Sequence, residues 1–246
     1  MNILHISLMS SCNFDCYYCT VKKWLRPLET AQSLGRNLLT NEALLKWFDA
    51  FIKPDEWYIE LIGGEPGLYP QISELIPAIT EKGYYGIVKT NGSLPIPESP
   101  NFIRAAAWHK DRDLPQYFDQ LVIIKNPDDT WRDKESYCKK KKIKYQLVDY
   151  DRRCEGILNT DLMKGYEPNK AIYSQHINSS GEVTCCPAAT PVMQDGVCTI
   201  FDMAPPIYTN ILLTSCKCCK NIHDVELFLP DDIREKFNDD FERRKK

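Results

Sequence analysis

Apolar positions along this chain fall into short runs and helical stripes that follow one another in turn. Ile3 to Ser10 is a brief apolar run and predicts a buried strand. Residues 20–38 show no clean period and read as a loop with some helix. Thr40 then stands as an N-cap with Glu42 in the first turn. Leu44, Leu45, Phe48, Phe51 and Ile52 follow at helical spacing, and Pro54 closes the element. Trp57 to Ile62 predicts a second strand. Ile72, Leu75, Ile76 and Ile79 mark a helix stopped at Gly83, and Tyr84 to Lys89 a third strand. After a Pro-rich loop from Leu94 to Pro100, Phe102 to His109 reads as a helix. Gln120 to Lys125, Trp131 to Lys141 and Ile143 to Val148 then read as strand, charged helix and strand.

This alternation implies βαβ units, and so an α/β fold with a parallel sheet and helices on its outer face. The texture changes after Asp149. Residues 151–170 are irregular, and Ile172 to Ile177 and Glu182 to Cys186 flank Asn178-Ser179-Ser180-Gly181 as a hairpin. Six cysteines lie from there on, and Asp231 to Lys246 patterns as an amphipathic helix on Ile233 and Phe237. The division expected is residues 1–168 for the α/β part and 169–246 for a small cysteine-rich part.

Composition narrows the chemistry. A formal charge of −3 over 246 residues gives no case for nucleic acid, and Lys139 to Lys142 reads as the solvated end of a helix. No stretch approaches the roughly 18 apolar residues of a membrane span, and the N-terminus lacks a signal-peptide pattern. The expected location is therefore the cytoplasm. Eleven cysteines there point to metal rather than to disulfides.

Cys12, Cys16 and Cys19 put three thiols within eight residues at the end of the first strand, with no obvious fourth ligand. Closely spaced cysteines commonly hold iron–sulfur clusters, and three of them leave one iron of a cubane open. A zinc site completed by a histidine such as His5 competes with this reading, although structural zinc usually takes two separated pairs of ligands. Gly63-Gly64-Glu65-Pro66, Thr90 to Ser93 and Lys125-Asn126 also sit at strand ends, where function gathers in parallel sheets.

In these residues the chain resembles the radical S-adenosylmethionine (radical SAM) superfamily. Cys12, Cys16 and Cys19 match its CxxxCxxC motif, with the aromatic Tyr18 before the third cysteine. Gly63 to Pro66 matches its GGEP, and Thr90-Asn91-Gly92 its third-strand TNG. The resemblance covers roughly residues 1–150. It implies a partial (β/α) barrel of five to six parallel strands, with a [4Fe–4S] cluster on the three cysteines. S-adenosylmethionine would chelate the fourth iron. Gly63, Gly64 and Glu65 would then face its amino group, with Asn91 and Ser93 near its ribose or carboxylate. The chemistry implied is reductive cleavage to a 5′-deoxyadenosyl radical and hydrogen abstraction from a substrate, with a flavodoxin- or ferredoxin-type electron donor. The tail resembles the twitch domain, a shortened SPASM relative. That implies one auxiliary [4Fe–4S] cluster on Cys186, Cys198, Cys216 and Cys219. Cys185 and Cys218 are alternative ligands, and a zinc ribbon on the same residues is the competing assignment.

Of the remaining candidates, Cys138 reads as packing, and Cys154 follows the fifth strand as a conceivable hydrogen donor. His5 and His176 lie on strands, His109 and His223 at the surface or at helix ends. Lys125, Gln146 and Asp149 are the expected substrate contacts. The leading functional expectation is a radical SAM enzyme acting on a small molecule, its auxiliary cluster assisting oxidation or substrate binding. Modification of a ribosomal peptide or protein side chain is the alternative. A non-catalytic zinc-binding module is the third reading.

Overall fold

A computed structural model describes residues 2–16, 39–109, 112–125, 129–149, 173–184, 199–203, 206 and 209–210. Six strands run parallel in sequence order: β1 (Asn2–Ser7), β2 (Trp57–Ile62), β3 (Tyr85–Thr90), β4 (Phe102–Ala107), β5 (Gln120–Lys125) and β6 (Tyr145–Asp149). On the free side of β1 lies β7 (Tyr173–Ile177), also parallel to it. β8 (Val183–Thr184) and β9 (Thr209–Asn210) pair antiparallel with β7. The spatial order is β6-β5-β4-β3-β2-β1-β7-β8, an open and mostly parallel sheet.

Helix α1 (Asn41–Phe51) starts where Thr40 caps it, its side chain accepting from the Ala43 N–H at 3.3 Å. It ends at Phe51, with Ile52 as its extended C-cap. Helix α2 (Ile72–Glu81) buries Ile72, Leu75, Ile76 and Ile79. Both pack on one face of the sheet, where Leu4, Ile6, Ile59, Leu61, Val88 and Phe102 meet Leu44, Trp47, Phe48 and Leu75 in one core. Helix α3 (Trp131–Lys141) closes the other end of that face. Its Cys138 is fully buried against Ala106, Leu121 and Ile123, in keeping with a packing role.

Alternation places several polar strand residues on the opposite face. One row across it carries His176, His5 and Glu60 in register. Glu60 is buried and ion-paired with both His5 and Lys89. Burial pushes its carboxyl up, but the Lys89 and His5 charges and their hydrogen bonds outweigh burial and hold it well below the usual carboxylate range. His176 is buried and hydrogen-bonded to the Ser7 hydroxyl at 2.9 Å.

One expected element is corrected. Phe102 to His109 is not a helix but contains strand β4, paired with β3 and β5. Phe102 packs into the core. Arg104 is buried with its guanidinium on both Asp119 oxygens, at 3.1 and 2.7 Å, and on Glu98 at 3.0 Å. The described residues on either side of β4 form no helix, so the strand–helix rhythm is broken there. The hairpin expected around Asn178 to Gly181 is present, and it joins the main sheet beside β1. The C-terminal helix expected at 231–246 lies outside the described residues.

Candidate metal and cofactor site

The cysteine loop leaves the C-terminal end of β1 alongside the end of β2. Leu8 N–H donates to Ile62 O at 3.0 Å, Gly64 N–H to Met9 O at 2.7 Å and Glu65 N–H to Ser11 O at 2.9 Å. This ladder carries the chain up to Cys12. It demands glycine on the β2 side. Gly63 has φ +137°, and a Cβ there would lie 2.3 Å from Met9 O, while one on Gly64 would lie 1.9 Å from Ser11 O.

Glu65 then turns inward and is fully buried. Its Oε1 accepts from Thr90 Oγ1 at 2.5 Å and from Gly67 N–H at 3.0 Å, while Oε2 accepts from Asn91 N–H at 2.7 Å. The carboxylate therefore ties the ends of β2 and β3 together. Asn91 passes the connection on: its Nδ2 donates to Asn13 Oδ1 at 2.8 Å and lies 3.8 Å from Cys12 Sγ. Ser93 closes a ring, donating through Oγ to Asn91 Oδ1 at 2.5 Å and accepting from Asn13 Nδ2 at 2.8 Å. The cysteine loop, the GGEP segment and the TNG segment are one hydrogen-bonded unit.

Cys12 and Cys16 are both partly exposed. Phe14 N–H donates to Cys12 Sγ at 3.3 Å, and Cys16 Sγ lies 3.5 Å from His109 Nδ1. Amide donors aimed at a sulfur suit a thiolate, and hydrogen bonds to the sulfurs are among the controls on iron–sulfur potentials. The donor set present thus fits a thiolate-held cluster. Cys19 and Tyr18 lie outside the described residues, and so do Cys154, Cys185, Cys186, Cys198, Cys216, Cys218, Cys219 and Asn126. Among the described residues no group of three His, Cys, Asp or Glu side chains is gathered.

His109, expected at the surface or at a helix end, lies half-buried just beyond β4 against the cysteine loop. Its ring meets Phe14 edge-on at 5.5 Å, and Arg112 lies over Phe14 at 4.6 Å. Burial, then the Lys134 and Arg112 charges, push the imidazole down to about 4. Asn13 and His109 are the site neighbours that sequence reasoning missed. Asn13 lies between two motif cysteines and was readable from that position, whereas nothing local marks His109. Pro66 opens a short 3-10 turn, Pro66–Leu68, that steers the chain away from the site. Gln146 is buried on the face opposite the helices. Lys125 pairs with Asp149 in register and, by alternation, shares the helix side with Leu121 and Ile123.

Residues 6–110 match the family model described as the Radical SAM superfamily. Two groups of curated relatives match part of the chain. The GTP 3',8-cyclase of Nostoc punctiforme is 35% identical over 129 residues, 50% of this chain and 38% of that protein. The 7-carboxy-7-deazaguanine synthase of Methanothermobacter thermautotrophicus is 38% identical over 87 residues, 35% of this chain and 32% of that protein. The matches thus span well under half the length of these relatives. Among solved structures, Streptococcus suis SuiB bound to S-adenosylmethionine is similar at TM-score 0.46 and 12% identity. That likeness covers 95% of this chain and 64% of the other. SuiB bound to the precursor peptide SuiA is similar at TM-score 0.41 and 12% identity, covering 95% and 65%. Among the described residues no helix is long and apolar enough to cross a membrane.

Proposed function

We propose that this chain is a radical SAM enzyme, with Cys12, Cys16 and Cys19 holding a [4Fe–4S] cluster beside an S-adenosylmethionine site. The observation that carries the reading is the bonded unit of Cys12, Asn13, Gly64, Glu65, Asn91 and Ser93 at one sheet edge. When bound, the cluster and S-adenosylmethionine supply one-electron cleavage and a carbon radical that abstracts hydrogen.

This chain's own residues position and shield. Glu65 keeps the strand ends in register, and because its carboxylate is turned inward, contact with a ligand ammonium falls to the backbone of Gly63 to Glu65. Asn91 and Ser93 present amide and hydroxyl groups on the same edge. Phe14 N–H and the Asn91 amide donate toward Cys12 and favour its thiolate. Cys186, Cys198, Cys216 and Cys219 are proposed to hold one auxiliary [4Fe–4S] cluster that assists substrate oxidation or binding.

Two substrate classes are compared in the test, a small molecule and a ribosomal peptide or protein side chain. The curated relatives are named for purine chemistry, and SuiB has been solved with a precursor peptide. Anaerobic reconstitution should yield a dark, oxygen-sensitive protein that makes 5′-deoxyadenosine from S-adenosylmethionine under reduction. Deuterated GTP and deuterated peptides then report the substrate through label in that product. Bound zinc, with neither iron nor 5′-deoxyadenosine, would instead favour the non-catalytic module.

A further inference from the structure

We propose that Gln120 and Gln146 form a recognition site for the amide edge of the substrate, an N–H and a C=O presented side by side. The inference rests on the radical SAM reading in taking the face opposite the described helices as the substrate side. Gln120 and Gln146 are 4% and 9% exposed. Gln120 Oε1, Gln146 Oε1 and Gln146 Nε2 are all buried with no hydrogen-bond partner among the described residues. Native interiors rarely leave such groups unpaired, because each costs about 1–3 kcal/mol. Three on two neighbouring strands ask for a common partner.

The register makes one partner possible. Ala105 pairs with Gln120, Ala107 with Val122, and Val122 with Gln146, so both amides stand on one face as diagonal neighbours. Beside them β4 places the small side chains of Ala105 and Ala107 on that face. Across Ala105 in the same row stands Lys89, partly exposed and paired with Glu60. A carboxamide donates through its nitrogen and accepts through its oxygen, so it is complementary to an amide edge. A purine lactam supplies that edge, and so does an extended peptide residue through its own N–H and C=O, which belong to two successive peptide bonds.

Two probes separate these sources: guanosine for the lactam and N-acetylglycine N-methylamide for the edge of an extended peptide residue. Each is titrated into the anaerobically reconstituted full chain while thermal unfolding is followed. At least one probe should raise the wild-type midpoint, and the shift should vanish in Gln120→Met and Gln146→Met. Which probe acts names the source. Without probe, both variants should unfold at or above the wild-type midpoint, since an unsatisfied amide is removed rather than a bond. The proposal is overturned if neither probe acts, if the shift survives both substitutions, or if both variants unfold well below wild type. Uncoupled 5′-deoxyadenosine formation by the wild type is followed alongside. Its absence from the wild type would count against the radical SAM reading, while loss of the probe effect alone counts against the amide site.

Discussion

The Glu65 carboxylate accepts the Asn91 backbone N–H at 2.7 Å, joining the ends of two strands through a fully buried charge. Its other oxygen takes Thr90 Oγ1 and Gly67 N–H. An acceptor-only group is required, because three donors converge on it. Glu65→Gln replaces one acceptor by a donor facing an N–H or a hydroxyl. The expected cost is about 2–3 kcal/mol, the range for stranding buried polar groups. Denaturant unfolding measures it. S-adenosylmethionine affinity should fall in parallel, as Asn91 and Ser93 lose their position, and an unchanged affinity would separate Glu65 from the cofactor edge.

Gly64 is constrained by the cysteine loop rather than by its own turn. A methyl group there would sit 1.9 Å from Ser11 O and 2.7 Å from Ser10 O, both backbone atoms that cannot swing away. Gly64→Ala should push the loop outward and misplace Cys12. Iron incorporation at the first site should drop by about tenfold or more, on the scale of the 1–3 kcal/mol that overpacking costs. The helix-side core is untouched, so far-ultraviolet circular dichroism should stay close to wild type. Iron and sulfide assays after reconstitution check the prediction, and full incorporation would contradict it.

Much of this arrangement was legible in the sequence because its signals are local. Thr40 caps its helix as expected, the apolar stripes of α1 and α2 face the core, and both motif segments meet the cysteine loop. Strand β4 was misread because Ala105 to Ala107 carry strong helix propensity. The gap between β3 and β5 overrides that preference, with Phe102 and Arg104 anchoring the strand on the helix side. The pairing of β7 with β1 was also unreadable, since Ile3 and Ser174 pair with no local pattern linking them. The hydrogen bond between Ser7 and His176 exists only because of that pairing.

His176 gives the fold a pH dependence with a defined sign. Burial, reinforced by His5 and opposed by Glu60, pushes its imidazole from 6.5 down to about 3. Ser7 meets its Nε2, and His5 and Glu60 share its row. Between pH 6.5 and 3 the unfolded chain therefore binds a proton that the native state refuses, so stability falls as pH falls through that window. Glu60, also held low, adds the same trend below pH 4.5. Each tenfold difference in proton affinity is worth about 1.4 kcal/mol. His176→Gln keeps a partner for Ser7 but does not titrate. Its unfolding midpoint should depend less steeply on pH than wild type from pH 6.5 down to about 3, and run parallel to it only below that window.

The two proposed cysteine sets can be separated by counting iron. Cys16 Sγ lies 3.5 Å from His109 Nδ1 in the cysteine loop. The tail ligands are supplied by a different stretch of chain. Losing one thiolate from a cubane should release that cluster and spare the other. Cys16→Ala should retain the tail iron, about half the wild-type content for two four-iron clusters, but make no 5′-deoxyadenosine. Cys216→Ala should show the same iron loss yet continue uncoupled S-adenosylmethionine cleavage, because the radical-forming edge is intact. The two variants would then carry equal iron with opposite cofactor chemistry. Cleavage surviving in Cys16→Ala would displace the first site, and undiminished iron in Cys216→Ala would remove the second.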